Sequence, residues 1–575
     1  MANSKQKPGT SSEASWSTRA LAKAHGSVWI LGLTSALLVW LAFPPVGFWP
    51  LAWIAPVGWI RIIGWPTLPG NRPYRSLYVI GLLHWLLMVQ WVRLPHWTAA
   101  IGWLFLAAYL AVYLPLFIAI ARVMVHRWRW PLLLAAPLVW TGLELIRARF
   151  LTGFPLLFLG HSQVTVLPVI QIADLFGAYG VSFVVMLIAA CCERLVPMQG
   201  RQRATVQPLL VASVVLFCTL AYGGYRLDSV ATSSQTLKIA LIQGSFDTQF
   251  DGDLSRNEQA YEDYVALTQR AAEKNPDLDL VIWPESMFTA NQPIVTYDQP
   301  LQPFPGWTDS LETLQQNLDA IANYTRQRGR RLATDAEAPM IVGGMWSHLG
   351  EGKTRSYNSA VFMDEQGQIV DRYFKMHPVM FGEYLPLGNW IPWLYTLSPM
   401  GAGLTPGEAP AIFEVQGVRF APNICFENFM PHLIRQQINT LKAEGRDPHV
   451  MVTITNDGWF WGSSLLDIHL ASGIFRAIEM RRPLLIAANT GFSAHVDPQG
   501  RVIEKGPRRA EEIVIANVAP SSLSSVYEWM GDVFAAICAL LVIVAAVWGM
   551  AFRVKSTNHS VETSLEMGES GLGSQ

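Results

Sequence analysis

The sequence predicts a multi-span α-helical membrane bundle joined to an α/β domain. Its 575 residues are 51% hydrophobic and only 15% charged, against roughly 25% charged in ordinary soluble domains, and the mean hydropathy is +0.25. The shortage of charge is uneven: long apolar runs crowd the first 230 residues and recur once near the C-terminus. Between them, from 236 to 520, short β-rich runs alternate with longer mixed stretches. That texture belongs to buried strands with helices outside.

A spanning helix needs about 20 residues. Runs at Val28 to Phe43, Val46 to Ile60, Leu77 to Val92, Ala100 to Ala121, Pro131 to Ile146, Ile172 to Cys191 and Leu209 to Tyr225 predict seven spans in 27–230, and Val533 to Phe552 predicts a last one within 530–553. The second is short, bounded by Pro45 and Arg61. Segment 1–26, with Lys5, Lys7, Arg19 and Lys23, imitates a secretory signal, but no small-residue cleavage site precedes Pro44-Pro45 and further spans follow at once. An uncleaved first helix is expected. Arg61, Arg72 and Arg75, then Arg122, Arg127 and Arg129, then Arg194, Arg201 and Arg203, and finally Arg553 and Lys555 all fall on one side. Positive charge marks the cytoplasm, so 1–26 and the tail 554–575 are expected inside, the tail disordered, with 236–520 facing outward.

Within 147–171, Thr152-Gly-Phe-Pro155 and Gly160-His-Ser-Gln163 are too broken for a span, so a re-entrant or surface segment is expected here, at the outer surface. Glu144 and Arg147 stand nearly one helical turn apart, which suits either a local ion pair or a contact with phospholipid headgroups. His161 joins them as a candidate pocket residue.

A net charge of -1 gives no support for nucleic acid as a partner. Cys191, Cys192, Cys218 and Cys538 lie in or beside apolar runs, where a thiol behaves as a small hydrophobe. Only Cys425 belongs to the 236–520 stretch, so no disulfide is expected there, and neither a CxxC spacing nor a His/Cys cluster points to a metal. No cofactor is expected.

In that stretch, strands are predicted at Leu237 to Ile242, Leu278 to Ile282, Met340 to Val342, Ser359 to Met363, Val418 to Ile424, Val450 to Ile454, Leu484 to Ala488 and Ile513 to Val518. Helices are predicted at Arg256 to Lys274 and Leu465 to Arg481. Glu285 leaves the strand ending at Trp283, where a carboxylate can point into a crevice above the sheet. Lys375 follows the strand-and-turn unit Ala360 to Gly367, and burial there would favour its neutral form unless a carboxylate held it charged. Cys425 closes a strand at a sharp turn, where backbone amides can receive an oxyanion. Singly these are a loop acid, a snorkelling lysine and a buried thiol; jointly they make a set for thiol acyl chemistry.

The runs Trp283-Pro-Glu285, Tyr373-Phe-Lys375, Asn423-Ile-Cys425-Phe-Glu427, Phe381-Gly-Glu-Tyr-Leu-Pro386, Asn456-Asp-Gly-Trp459 and Arg481-Arg-Pro-Leu-Leu485, together with Thr152-Gly-Phe-Pro155, resemble the apolipoprotein N-acyltransferase family, membrane-embedded members of the nitrilase superfamily. The resemblance implies a nitrilase-like αββα sandwich with Glu285 as general base, Lys375 as oxyanion stabiliser and Cys425 as nucleophile. It implies a second essential acid at Glu383, a supporting acid at Glu427 and a pocket-shaping aromatic at Trp459. The family often has tyrosine after the cysteine; here the residue is Phe426.

The implied activity moves an acyl chain from a phospholipid to the α-amine of a diacylglyceryl-cysteine on an apolipoprotein, by ping-pong through a thioester, as the last step of lipoprotein maturation. The implied setting is a bacterial inner membrane, with a monomer expected and the catalytic domain in the periplasm. Met287, Phe288, Phe381, Phe460 and Trp461 are candidates, with Trp459, for loops touching the bilayer. Two rivals are a membrane-anchored amidase that transfers to water and a transporter or scaffold with a degenerate hydrolase domain.

Overall fold

The computed structural model describes residues 27–196, 206–228, 235–248, 253–304, 306–388, 390–391, 393, 395 and 403–569, with side chains through Ala551. Segment 1–26, the arginines at 201 and 203, and the side chains of the expected tail lie outside the described residues.

The N-terminal region is helical: α1 (Val28–Ala42), α2 (Val57–Gly64), α3 (Pro73–Met88), α4 (Ala99–Ala111), α5 (Tyr113–His126), α6 (Leu132–Arg149), α7 (Ala173–Leu195) and α8 (Gln207–Asp228). Ala99–His126, Ala173–Leu195, Gln207–Asp228 and Val533–Ala551 are long and apolar enough to cross a membrane, and Val28–Ala42 is a shorter apolar helix. Bare apolar side chains such as Leu210, Phe217, Leu540 and Ile543 are stable only against lipid or another apolar surface. The run predicted as a second span is instead a 3-10 turn, Trp49–Trp53, followed by the short α2. Pro50 and Pro56 explain the break, since each removes an N–H and disfavours helix in the residue before it. Trp59 of α2 donates from Nε1 to the Gly32 carbonyl at 3.1 Å, so this piece packs against α1.

The region after it carries β1 (Leu237–Gln243), α9 (Leu254–Lys274), β2 (Leu280–Ile282), β3 (Ile294–Tyr297), α10 (Leu311–Ala336), β4 (Met340–Gly350), β5 (Lys353–Met363), β6 (Ile369–Phe374), β7 (Phe413–Val415), β8 (Val418–Ile424), α11 (Pro431–Ala443), β9 (Val450–Thr455), α12 (Leu465–Met480), β10 (Leu484–Ala488), β11 (Ala494–Val496), β12 (Val502–Lys505) and β13 (Glu512–Val518). One sheet runs β13-β1-β2-β4-β5-β6, with β3 paired to β4; the other runs β12-β11-β10-β9-β8-β7. In each, three central strands are parallel, β1-β2-β4 and β8-β9-β10, so their C-terminal ends share an edge.

The sheets pack face to face through Ile239, Leu241 and Ile341 against Phe420, Ile424, Val452 and Ile454. Outside the first sheet, Ala240, Ile242 and Val281 meet Tyr264 and Leu267 of α9 and Leu332 of α10. Outside the second, Met451 and Ile486 meet Ile434 of α11 and Phe475 and Ile478 of α12. The layers are therefore helix, sheet, sheet, helix. Strands buried on both faces explain why the sequence reads as continuous apolar runs rather than alternation. Each such Leu, Ile or Val contributes roughly 1.5–3 kcal/mol by leaving water.

Two joints tie the parts together. The last helix, α13 (Val533–Glu569), returns to the bundle at Gly142 of α6, where an added Cβ would stand 2.7 Å from the Cys538 backbone. Buried Arg481 reaches from the end of α12 to Asp174 at 2.5 and 3.0 Å and to Gln171 Oε1 at 2.9 Å. Phe288, one of the candidate bilayer contacts, is 1% exposed in the core between the first sheet and its helices. It therefore cannot touch lipid: its ring follows the strand exit inward.

Candidate active site

Three strand exits meet at one edge. Glu285 follows β2, and its Oε1 accepts from Asn358 Nδ2 of β5 at 2.6 Å while Oε2 accepts from the Asn456 amide at 2.8 Å. Lys375 follows β6, and its Nζ lies 3.5 Å from Glu285 Oε1 and 2.9 Å from Glu383 Oε1. Glu383 also accepts from Asn358 Nδ2 at 3.0 Å and from the Val379 amide at 2.7 Å. Burial opposes the Lys375 charge, but Glu383, Glu285 and Cys425 outweigh it and raise its pKa above the ordinary lysine range. The lysine is thus a fixed cation.

Cys425 follows β8 with φ +54° and opens the 3-10 turn Cys425–Phe429. A non-glycine residue held in the left-handed region costs roughly 1–3 kcal/mol, and the surroundings of Glu427 show what holds it. That carboxylate accepts from the Ile424 amide at 2.7 Å, the Met376 amide at 2.7 Å, the His377 amide at 3.1 Å and the Tyr373 hydroxyl at 2.8 and 2.9 Å. It therefore ties the Cys425 turn to the Lys375 turn. Burial pushes the Glu427 carboxyl up to about 7 despite these donors. Burial and the Glu285 charge push the Cys425 thiol well above its ordinary value, with Lys375 pulling the other way. The resting sulfur is a neutral thiol, and its attack on a carbonyl requires a base beside it.

Phe426 stacks on His377 at 6.1 Å and touches Phe429 at 5.6 Å, a packing role that needs no hydroxyl. Trp459 is half-buried, and its neighbour Phe460 meets Trp91 of the membrane region edge to face at 5.6 Å. Phe381, Leu387, Trp390 and Trp393 are exposed around the Glu383 segment. Asn358, Tyr373 and Gln437, which donates to Tyr373 at 2.6 Å, complete the site and were not singled out from the sequence. Asn358 had a signal, as an amide among the small and apolar residues of a buried strand.

Glu144, Arg147 and His161 lie apart from this cluster. Glu144 Oε1 accepts from the Leu159 amide at 2.8 Å and Trp140 Nε1 at 2.9 Å. Arg147 donates to the carbonyls of Leu156 at 2.8 Å and Leu157 at 3.3 Å, between the rings of Trp85, Phe154 and Phe158. These two residues pin the broken segment after α6. His161 is buried between Phe158 and Phe475 at the joint of the two regions.

Residues 35–191 match the apolipoprotein N-acyltransferase N-terminal domain, and residues 238–528 match the carbon-nitrogen hydrolase domain. An apolipoprotein N-acyltransferase of Rhodopirellula baltica is 31% identical, covering 88% of this chain and 94% of its own. The chain belongs to the apolipoprotein N-acyltransferase family. The enzyme of that name from Geobacter metallireducens is 32% identical over 92% of this chain and 96% of its own length. A nitrilase-superfamily protein of Saccharomyces cerevisiae aligns with 53% of the chain at 18% identity and a TM-score of 0.34. As a family member the chain is a membrane-associated acyltransferase relative that joins an apolar helical region to an αββα domain.

Proposed function

We propose that this chain transfers an acyl chain from a phospholipid to the α-amine of the N-terminal diacylglyceryl-cysteine of apolipoproteins, as the final step of lipoprotein maturation in a bacterial inner membrane. One observation carries the reading. Lys375 stands 3.5 Å from Glu285 and 2.9 Å from Glu383, within electrostatic reach of the strained Cys425, in a chain with membrane-crossing helices.

Glu285 takes the thiol proton as Cys425 attacks the ester carbonyl. Lys375 and the backbone amide after the sulfur stabilise the oxyanion, each well-placed donor being worth about 3–4 kcal/mol. Collapse expels the lysophospholipid, which receives the proton from Glu285, and leaves the acyl group on sulfur. The acceptor ammonium first loses a proton to water. Its free amine then attacks the thioester while Glu285 carries the second nitrogen proton to the departing sulfur. One site serving two lipids in turn gives ping-pong kinetics.

The membrane region keeps both lipids in apolar surroundings throughout. Extraction costs about 0.8 kcal/mol per methylene, far too much for two lipidated substrates. The arginine distribution read from the sequence supports a periplasmic setting for the catalytic domain, and exposed Trp97 and Trp529 suit the interface level.

Mass analysis of the Cys425 peptide after incubation with phospholipid tests the proposal. A fatty-acyl adduct is expected on Cys425, absent from Cys425→Ala, stable in water and discharged by a diacylglyceryl peptide with a free amine. Discharge by water at the same rate favours an amidase; lipoprotein acylation by Cys425→Ala ends the proposal.

A further inference from the structure

Beside Cys425 lies a carboxylate–imidazole pair that the acyl-transfer steps do not use. β9 ends at Thr455, and Asp457 follows in the turn before α12. His469, in the second turn of α12, places Nδ1 at 3.0 Å from Asp457 Oδ1 and 3.3 Å from Oδ2. Thr455 Oγ1 donates to the same Oδ1 at 3.1 Å, and Thr455 stands beside Cys425 because β8 and β9 pair in parallel with Ile424 opposite Ile454, near enough for the hydroxyl to pull the thiol down. Thr455, Asp457 and His469 are 0%, 3% and 2% exposed, so water does not substitute for these contacts. Phe429 stacks on the imidazole at 4.6 Å and fixes its plane.

His469 Nε2 has no partner among the described residues. The Asp457 carboxylate that faces Nδ1 is an acceptor only. The proton therefore sits on Nδ1 and is donated to Asp457.

We propose that His469 is a positioning residue for Cys425, acting through Asp457 and Thr455. The Thr455 hydroxyl has one proton and two claimants, the Asp457 carboxylate and the sulfur. At rest Asp457 holds it. When Glu285 removes the thiol proton, the hydroxyl turns to the thiolate, and Asp457 remains satisfied because His469 still donates to it. The same turn stabilises the sulfur when it departs from the thioester, and Glu285 then returns the proton to it. Glu285, Lys375 and Asp457 are the charged groups acting on that sulfur; His469 reaches it only through the hydroxyl.

This inference rests on the acyltransferase reading for its purpose, but its test uses no lipid. The rate of Cys425 alkylation by iodoacetamide is measured against pH in the full-length protein in detergent, by mass of the Cys425 peptide. His469→Ala and Thr455→Val are each expected to slow alkylation at neutral pH about tenfold and to move the profile to higher pH. His469→Gln, which keeps an N–H toward Asp457, is expected within about threefold of the parent. The double variant His469→Ala/Thr455→Val is expected no slower than either single one, because both remove the same contact. A parent-like profile in His469→Ala, or losses that multiply in the double variant, overturns the proposal. Thr455→Val leaves the Asp457–His469 pair in place, and a parent-like profile in it overturns the proposal even if His469→Ala does not fold. The expected alkylation pattern without any phospholipid-derived adduct would leave this inference standing and remove the acyltransferase reading.

Discussion

Glu427 receives five hydrogen bonds from four donor groups, and all of them point at an acceptor. Its protonated form would turn a hydroxyl toward an N–H and leave that amide unsatisfied. Burial raises the carboxyl to about 7, so the proton is taken up as pH falls through 7 and released above it. Formation of the acyl-enzyme is therefore expected to decline below about pH 7, with the Cys425 turn loosening as the proton binds. Glu427→Gln mimics that loosened state at every pH. It is expected to acylate about 10- to 100-fold more slowly, the worth of one or two hydrogen bonds to a charged acceptor, and to lose the decline centred near 7. Rapid-quench measurement of acyl-enzyme between pH 5 and 9 checks both; an unchanged acidic limb in the variant would assign that limb to another group.

At the level of elements, what was legible follows from how local the signal is. Glu285, Lys375 and Cys425 each stand just past a strand; β10 was readable to the residue because Leu484 to Ala488 is a continuous apolar run, and β8, which carries Arg419 and Asn423, because a sharp turn at Cys425 closes it. The edge strand β6 was not, since Asp371 and Arg372 face solvent and only pairing with β5 defines it. Helix α10 was missed although Leu311, Leu314, Leu318 and Leu332 trace one stripe, because arginine and glutamine fill the rest of its surface. The joint between α7 and α12 was equally hidden: Arg481 and Asp174 are 307 positions apart. Removing one partner of a buried ion pair costs about 3–5 kcal/mol. Arg481→Met is expected to lower the melting temperature in detergent, and Asp174→Asn in the same chain to recover part of the loss, since it removes the stranded charge. A single variant as stable as the parent would mean that Arg226, which also reaches Asp174 at 2.8 Å, suffices. Gly153, at φ +89° and with the Ala148 carbonyl against the place a Cβ would take, fixes the turn after α6.

Across the whole molecule, the two regions share one core, because Phe158, Tyr179 and Val181 from the membrane side pack with Ile434, Phe475 and Ile478 from the catalytic side. A surface of that kind cannot be shed into water without aggregation, so the orientation of the membrane helices fixes where the active site opens. The arginine-rich loops after α2, α5 and α7 would then lie inside and the strand exits outside. Lys353, exposed at the tip of the β4-β5 turn, reports on this directly. In a Cys425→Ala background, Lys353→Cys is expected to react with a membrane-impermeant maleimide in intact spheroplasts and to be shielded in inverted vesicles. Reaction only in inverted vesicles would put the catalytic domain in the cytoplasm, where exported apolipoproteins cannot meet it, and would leave the charge asymmetry of the loops to be explained by something other than topology.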